Sequence, residues 1–187
     1  MNKFCVFLTL LIFMACKNGE NEHGDKPDPH APKILGFSIV ATYPHDTASY
    51  TQGLQIYNGQ LYEGTGNYGF SKLREVDLAT GKTKRETALP KEFFGEGITI
   101  LNDTVYQLTW REKKVFVYTL TDFTKIKEFD VNFEGWGLTN NGTHLIVTTG
   151  GSDLQFHNPA DFSLVRTQSV TEKGSASFNL NELEYID

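Results

Sequence analysis

A carboxylate set between two glycines is the feature of this sequence with the plainest chemical consequence. In Phe93-Phe94-Gly95-Glu96-Gly97-Ile98-Thr99, Glu96 heads a run that continues as Ile98, Ile100 and Leu101. Charge beside a packed core is costly unless it is paired or used. Flanking glycines let the backbone turn sharply and let another molecule come close. Two readings stand on this motif alone: a group that gives and takes protons, or one that accepts hydrogen bonds from a neighbouring loop.

What must position such a group is legible in the spacing. Gly53-Leu54, Gly97-Ile98 and Gly137-Leu138 lie 44 and 40 residues apart. Each is followed by a turn signal, Asn58-Gly59, Asn102-Asp103 and Asn141-Gly142, the chemistry preferred by two-residue hairpins. Second strands are expected at Leu61-Tyr62, Val105-Tyr106 and Leu145-Ile146, and third strands at Leu73 to Leu78, Val115 to Leu120 and Leu154 to His157. Fourth strands are expected after turns at Thr80-Gly81, Asp122-Phe123 and Pro159 to Phe162. A four-stranded antiparallel meander of about 40 residues is the period of a β-propeller blade. The fold class is therefore all-β, a propeller with three blades and the start of a fourth at Asn179 to Ile186. A lone strand at Ile34 to Val40 is expected to complete a final blade, so residues 33–187 read as the N-terminal part of a longer domain.

In a propeller the first strand of each blade lines the axis, so blade starts converge at one rim. Those starts are Tyr50-Thr51-Gln52-Gly53, Phe94-Gly95-Glu96-Gly97, Glu134-Gly135-Trp136-Gly137 and Asn181-Glu182-Leu183, with Trp110 at the same end. An acid, amides and aromatic faces together suit a small-molecule site. Against this, Phe94, Trp110 and Trp136 also fit ordinary packing between blades, and Asn181 a turn cap. Glu134, Glu182 and Glu184 read as structural acids bonding backbone amides. His45, His144 and His157 are scattered, with no metal-ligand spacing, and read as surface or turn residues.

The rest of the chain bounds location and partners. A net charge of −6 leaves no basic stripe for phosphates and argues against nucleic acid. Met1 to Ala15 carries Lys3 and an apolar Phe4–Met14 run too short to span a bilayer, and ends just before Cys16. This is the pattern of a bacterial lipoprotein signal, with Cys16 carrying the lipid; an ordinary secretory signal is the competing reading. Residues 16–32 hold Pro27, Pro29 and Pro32 and read as a flexible tether to the cell envelope, on its periplasmic or surface face. Cys5 and Cys16 are the only cysteines, so the folded part has no thiol chemistry.

The stretches Tyr50-Thr51-Gln52-Gly53-Leu54, Gly66-Asn67-Tyr68-Gly69, Ser71-Lys72-Leu73-Arg74, Phe94 to Thr99, Gln107 to Arg111, Glu134 to Leu138 and Asn181 to Tyr185 resemble the plant-type glutaminyl-peptide cyclotransferases, in order and with matching gaps. The resemblance implies a five-bladed propeller, an aminoacyltransferase that closes an N-terminal glutamine of a peptide or protein into pyroglutamate with release of ammonia. It implies acid/base work for Glu96 and substrate contacts for Tyr50, Gln52, Phe94, Trp110, Trp136 and Asn181. Tyr50 stands where the family is expected to carry phenylalanine. The family's further pocket residues, a tryptophan and a lysine, are expected beyond Asp187. No metal and no cofactor is called for, and the whole protein is expected to act as a monomer. The alternative is a non-catalytic extracytoplasmic propeller that holds a peptide or another ligand at the same rim. The 187-residue portion by itself is expected to expose strand edges and aggregate.

Overall fold

The computed structural model describes residues 36–186. The signal at 1–15, Cys16 and the tether at 16–32 lie outside the described residues, as do Ile34 and Leu35. Three four-stranded antiparallel meanders follow one another along the chain. The first holds β1 (Thr51–Tyr57), β2 (Gln60–Thr65), β3 (Lys72–Val76) and β4 (Thr83–Ala88). The second holds β5 (Gly95–Leu101), β6 (Thr104–Thr109), β7 (Lys114–Thr119) and β8 (Lys125–Asp130). The third holds β9 (Leu138–Asn140), β10 (Leu145–Val147), β11 (Asp153–His157) and β12 (Leu164–Ser169). In each sheet the strands pair in chain order, so the expected blades form where the repeat places them.

Burial explains the composition of these strands. Side chains alternate between the two faces of a strand, and in β7 Phe116 and Tyr118 join the core shared with the first blade, while Val115 and Val117 join the core shared with the third. The middle blade is thus covered on both sides, and its first three strands are buried almost throughout. Fourth strands lie outermost, and those of the first two blades are charged, as in Lys-Ile-Lys-Glu-Phe-Asp of β8, which keeps an unpaired edge in water.

The recurring glycines mark where one blade's backbone touches the next. A Cβ at Gly53 would meet Ile98 N at 2.4 Å, one at Gly97 would meet Leu138 N at 2.6 Å, and one at Gly137 would meet Asn181 O at 2.1 Å. Gly97 N–H also donates to Trp136 O at 2.9 Å. The repeat follows from sterics at a crowded axis as well as from turn geometry.

Four local expectations are corrected. Residues 36–42 form no strand, and Phe37, Ile39 and Val40 stand 93, 80 and 95% exposed; an apolar alternation needs a partner edge, and none of the described strands supplies one. Asn58-Gly59 and Asn102-Asp103 make the expected tight turns with positive φ throughout, but Asn141-Gly142 does not. There Asn140 pairs with Leu145, leaving a four-residue connection in which the Asn141 side chain accepts from the N–H groups of Thr143 and His144. The segment from Asn179 forms no strand, although Thr148 Oγ1, just past β10, donates to Asn181 O at 2.7 Å. His157 is buried rather than a surface residue: its ring stacks on Phe162 at 4.6 Å, and its Nδ1 bonds Phe162 O. A short hairpin, β13 (Thr171–Glu172) with β14 (Ser175–Ala176), precedes that last segment and was not expected.

Candidate active site

Two bulges aim the central pair of side chains. In the first blade Thr51 pairs with Thr65 and Gly53 with Gly64, so Gln52 is one residue too many for its partner strand. In the second, Gly95 pairs with Thr109 and Ile98 with Gln107, so Glu96 and Gly97 face Leu108 alone. An extra residue bends a strand and re-aims its side chain. Here both bulges turn their polar residue to the same spot, and Gln52 Nε2 donates to Glu96 Oε2 at 2.7 Å across the blade boundary.

The spot is the floor of a cavity of about 410 Å³ lined by Tyr50, Gln52, Asn67, Phe94, Glu96, Trp110, Trp136 and Asn181. All seven pocket residues expected from the sequence meet there. Phe94 is the centre of the aromatic wall: its ring meets Tyr50 at 6.1 Å, Tyr68 at 5.4 Å and Trp110 at 5.5 Å, each edge to face. Such contacts hold rings in one orientation as well as burying them. Gly66 makes room for Phe94, since a Cβ there would lie 2.2 Å from the ring. Gly150, with φ of +75°, does the same for Trp136. Arg111 lies over the outer face of Trp110 at 3.9 Å and fixes its plane.

Glu96 is 5% exposed. Burial pushes its carboxyl up to about 8; the Gln52 hydrogen bond opposes the rise, and the charge of Glu112 adds to it. At neutral pH the group therefore holds its proton yet lies close enough to neutrality to exchange it. Glu182 lies beside the backbone N–H groups of Leu183 and Leu54, which favour its charged form. Crowding by the protein, then the charges of Glu184 and Glu96, push Glu182 upward as well. Glu96 lines the cavity and Glu182 does not, so the proton chemistry of the cavity is assigned to Glu96. Glu134 is exposed.

Three contributors were missed. Asn67 lines the cavity. Ser71, almost fully buried, accepts at its Oγ from the N–H groups of Asn67 and Gly95 and so ties the rim to the strand bearing Glu96. Glu112 accepts from Phe94 N–H at 3.2 Å and from Tyr68 Oη at 2.9 Å, bracing two rings of the wall. Asn67 and Ser71 fall inside stretches that carry the family resemblance, which was the signal available. Glu112 sits one residue past such a stretch and carries none. Among the described residues, no group of three or more His, Cys, Asp or Glu side chains could hold a metal ion.

A family model described as glutamine cyclotransferase matches residues 7–187. A curated protein of Arabidopsis thaliana, named glutaminyl-peptide cyclotransferase, is 36% identical over 95% of this chain and 56% of its own length. The crystal structure of Myxococcus xanthus glutaminyl cyclase superposes with a TM-score of 0.75 at 32% identity, covering 80% of this chain and 63% of that one. The Neurospora crassa Pan2 WD40 domain matches at a TM-score of 0.53 and 8% identity, over 64% of this chain and 36% of that one, a likeness of fold alone. The chain thus spans a little over half the length of the curated relative it matches.

Proposed function

This chain belongs to the glutamine cyclotransferase family, and from that membership we propose that its protein converts an N-terminal glutamine of peptides into pyroglutamate, with Glu96 as the acid/base group. The observation that carries the reading is the buried Glu96 carboxyl, hydrogen-bonded to Gln52 at the floor of an aromatic cavity large enough for a glutamine residue.

The substrate's α-amine nitrogen attacks its own side-chain carboxamide carbon, forming the ring C–N bond, and the bond to the departing nitrogen breaks to release ammonia. Nucleophile and electrophile are already tethered, so the protein's first task is to hold a near-attack geometry. One proton must leave the attacking nitrogen and one must reach the departing nitrogen. A carboxyl between them gives one and takes the other, ending as it began, and a group titrating near 8 suits both steps near neutrality. Gln52 and Asn181 offer hydrogen bonds without adding charge. Phe94, Trp110 and Trp136 enclose the aliphatic stem, and the α-amine attacks in its neutral form.

The test is ammonia release from a glutamine-initiated peptide by the full-length protein, beside Glu96→Gln. Turnover that falls by roughly 10²–10⁴ in the variant supports the assignment. Binding of the peptide by a folded protein without turnover replaces the enzyme with a peptide-holding propeller.

The lipoprotein pattern at Met1 to Cys16 supports a lipid-anchored protein of the bacterial cell envelope. Cys16→Ser is expected to leave the membrane fraction and to lose incorporation of labelled fatty acid; membrane retention by that variant overturns the anchor.

A further inference from the structure

Asn67 combines backbone strain with an unused side chain. Its φ is +156°, a region that costs any residue but glycine. The turn is nevertheless over-determined. Ser71 Oγ accepts the Asn67 N–H and donates to its carbonyl, which also accepts from the N–H groups of Phe70 and Ser71. On its other flank, Gly66 N–H donates to Tyr50 O. The Asn67 carboxamide itself has no partner among the described residues, and it lines the cavity.

The position of that carboxamide supplies the second observation. A further cavity of about 250 Å³ adjoins the first, and Tyr50 and Asn67 line both. Phe70 and Arg74 border this second space. The Arg74 side chain is 5% exposed; its Nη1 donates to Asp46 and Ser49, while its Nη2 has no acceptor among the described residues. A glutamine held against Glu96 at the floor of the first cavity leaves the rest of its peptide to pass the cavity's wall.

Resting on the cyclotransferase reading, we propose that the second cavity is the subsite for the residue that follows the glutamine, and that Asn67 hydrogen-bonds the backbone of that residue as it crosses the rim. The bond uses the backbone, so the site selects for the presence of a second residue rather than for its charge. The strained turn is kept because it points an amide at a place where a peptide group passes.

The experiment compares glutaminamide, which has no second residue, with a glutamine-initiated dipeptide amide, using the full-length protein and its Asn67→Gly variant. Glycine removes the carboxamide and accepts the backbone angle, so the variant is expected to melt at or above the parent temperature. The ratio of kcat/KM for the dipeptide to that for glutaminamide is expected to fall about three- to tenfold, the worth of one hydrogen bond, with the loss in KM. An unchanged ratio, or an equal fall for both substrates, overturns the subsite while leaving the activity standing. Failure of the parent protein to turn over either substrate defeats the cyclotransferase reading and this inference with it.

Discussion

Glu96 contributes a pH dependence to stability because its folded and unfolded states hold the proton differently. Its carboxyl rises from 4.5 to about 8 on folding, so the folded state binds the proton more tightly. That contribution to stability is complete below about 4.5 and is lost as pH climbs through 8. Glu96→Gln carries no titrating group and keeps an acceptor for Gln52. Its unfolding free energy relative to the parent is expected to gain with pH between those limits, by at most about 1.4 kcal/mol per pH unit, and to level off above. Denaturant melts from pH 5 to 9 check this; a constant difference shows that Glu96 does not titrate on folding. Gln52→Met removes a bond that holds the Glu96 pKa down, so the alkaline limb of the activity profile is expected to move to higher pH. A limb that moves lower, or not at all, removes Gln52 from the control of that proton. Glu96 was legible in the sequence because an acid between glycines before an apolar strand breaks the local trend. Asn67 was not, because its significance lies in a backbone angle and in what its side chain fails to touch.

At the scale of elements, glycine spacing and bulges do the positioning. A Cβ at Gly137 would press into Asn181 O and sit 2.8 Å from Thr148 Oγ1. Gly137→Ala is therefore expected to cost about 1–3 kcal/mol, as overpacking does, and to shift the segment bearing Asn181. Thermal melting with a peptide-binding measurement checks it, and an alanine variant with parental stability shows that the contact yields freely. The blades were legible because turn residues, alternation and a 40-residue period all agreed. The exceptions have separate causes. Asn141-Gly142 has hairpin chemistry, but the Asn141 side chain caps two backbone amides and holds a wider loop open. The apolar run near Ile39 has strand chemistry, but strand formation is settled by an edge elsewhere in the fold. The bulges at Gln52 and Glu96 were visible only as glycines, since register does not show in one strand's sequence.

The whole molecule is asymmetric in what it covers. The middle blade is packed on both faces and leaves only Ile126 of its large apolar strand residues exposed, at 56%, whereas the first leaves Leu54 and Ile56 at 44 and 62% and the third leaves Leu164 and Val165 at 56 and 51%. The 187-residue chain by itself is expected to associate as concentration rises, since such surfaces gain by being covered. Sedimentation velocity across a range of concentrations checks this, and a single concentration-independent species contradicts it. The first blade compensates in part. Residues 44–49 lie along it, where His45 bonds Glu63, Asp46 and Ser49 bond Arg74, and Gly81 lets Pro44 pass. Glu63 and Arg74 are buried side by side, with Glu63 Oε2 and Arg74 Nε lacking hydrogen-bond partners. Arg74→Met removes the cation buried beside Glu63 and leaves that carboxylate only His45 and Thr51, so it is expected to lose about 3–5 kcal/mol and the Glu63→Leu/Arg74→Met double variant distinctly less. Equal losses in the single and double variants contradict that coupling.

The cavity wall is contributed in instalments along the chain: Gln52 from the first blade, Phe94, Glu96 and Trp110 from the second, Trp136 from the third, and Asn181 from the segment beyond. During synthesis from the N-terminus, each blade can pair its own strands as it emerges, because every pairing joins neighbours in the chain. The Gln52–Glu96 bond becomes available once the second blade is out, but an enclosed cavity does not. A nascent chain therefore acquires its acid well before the cavity around it is enclosed.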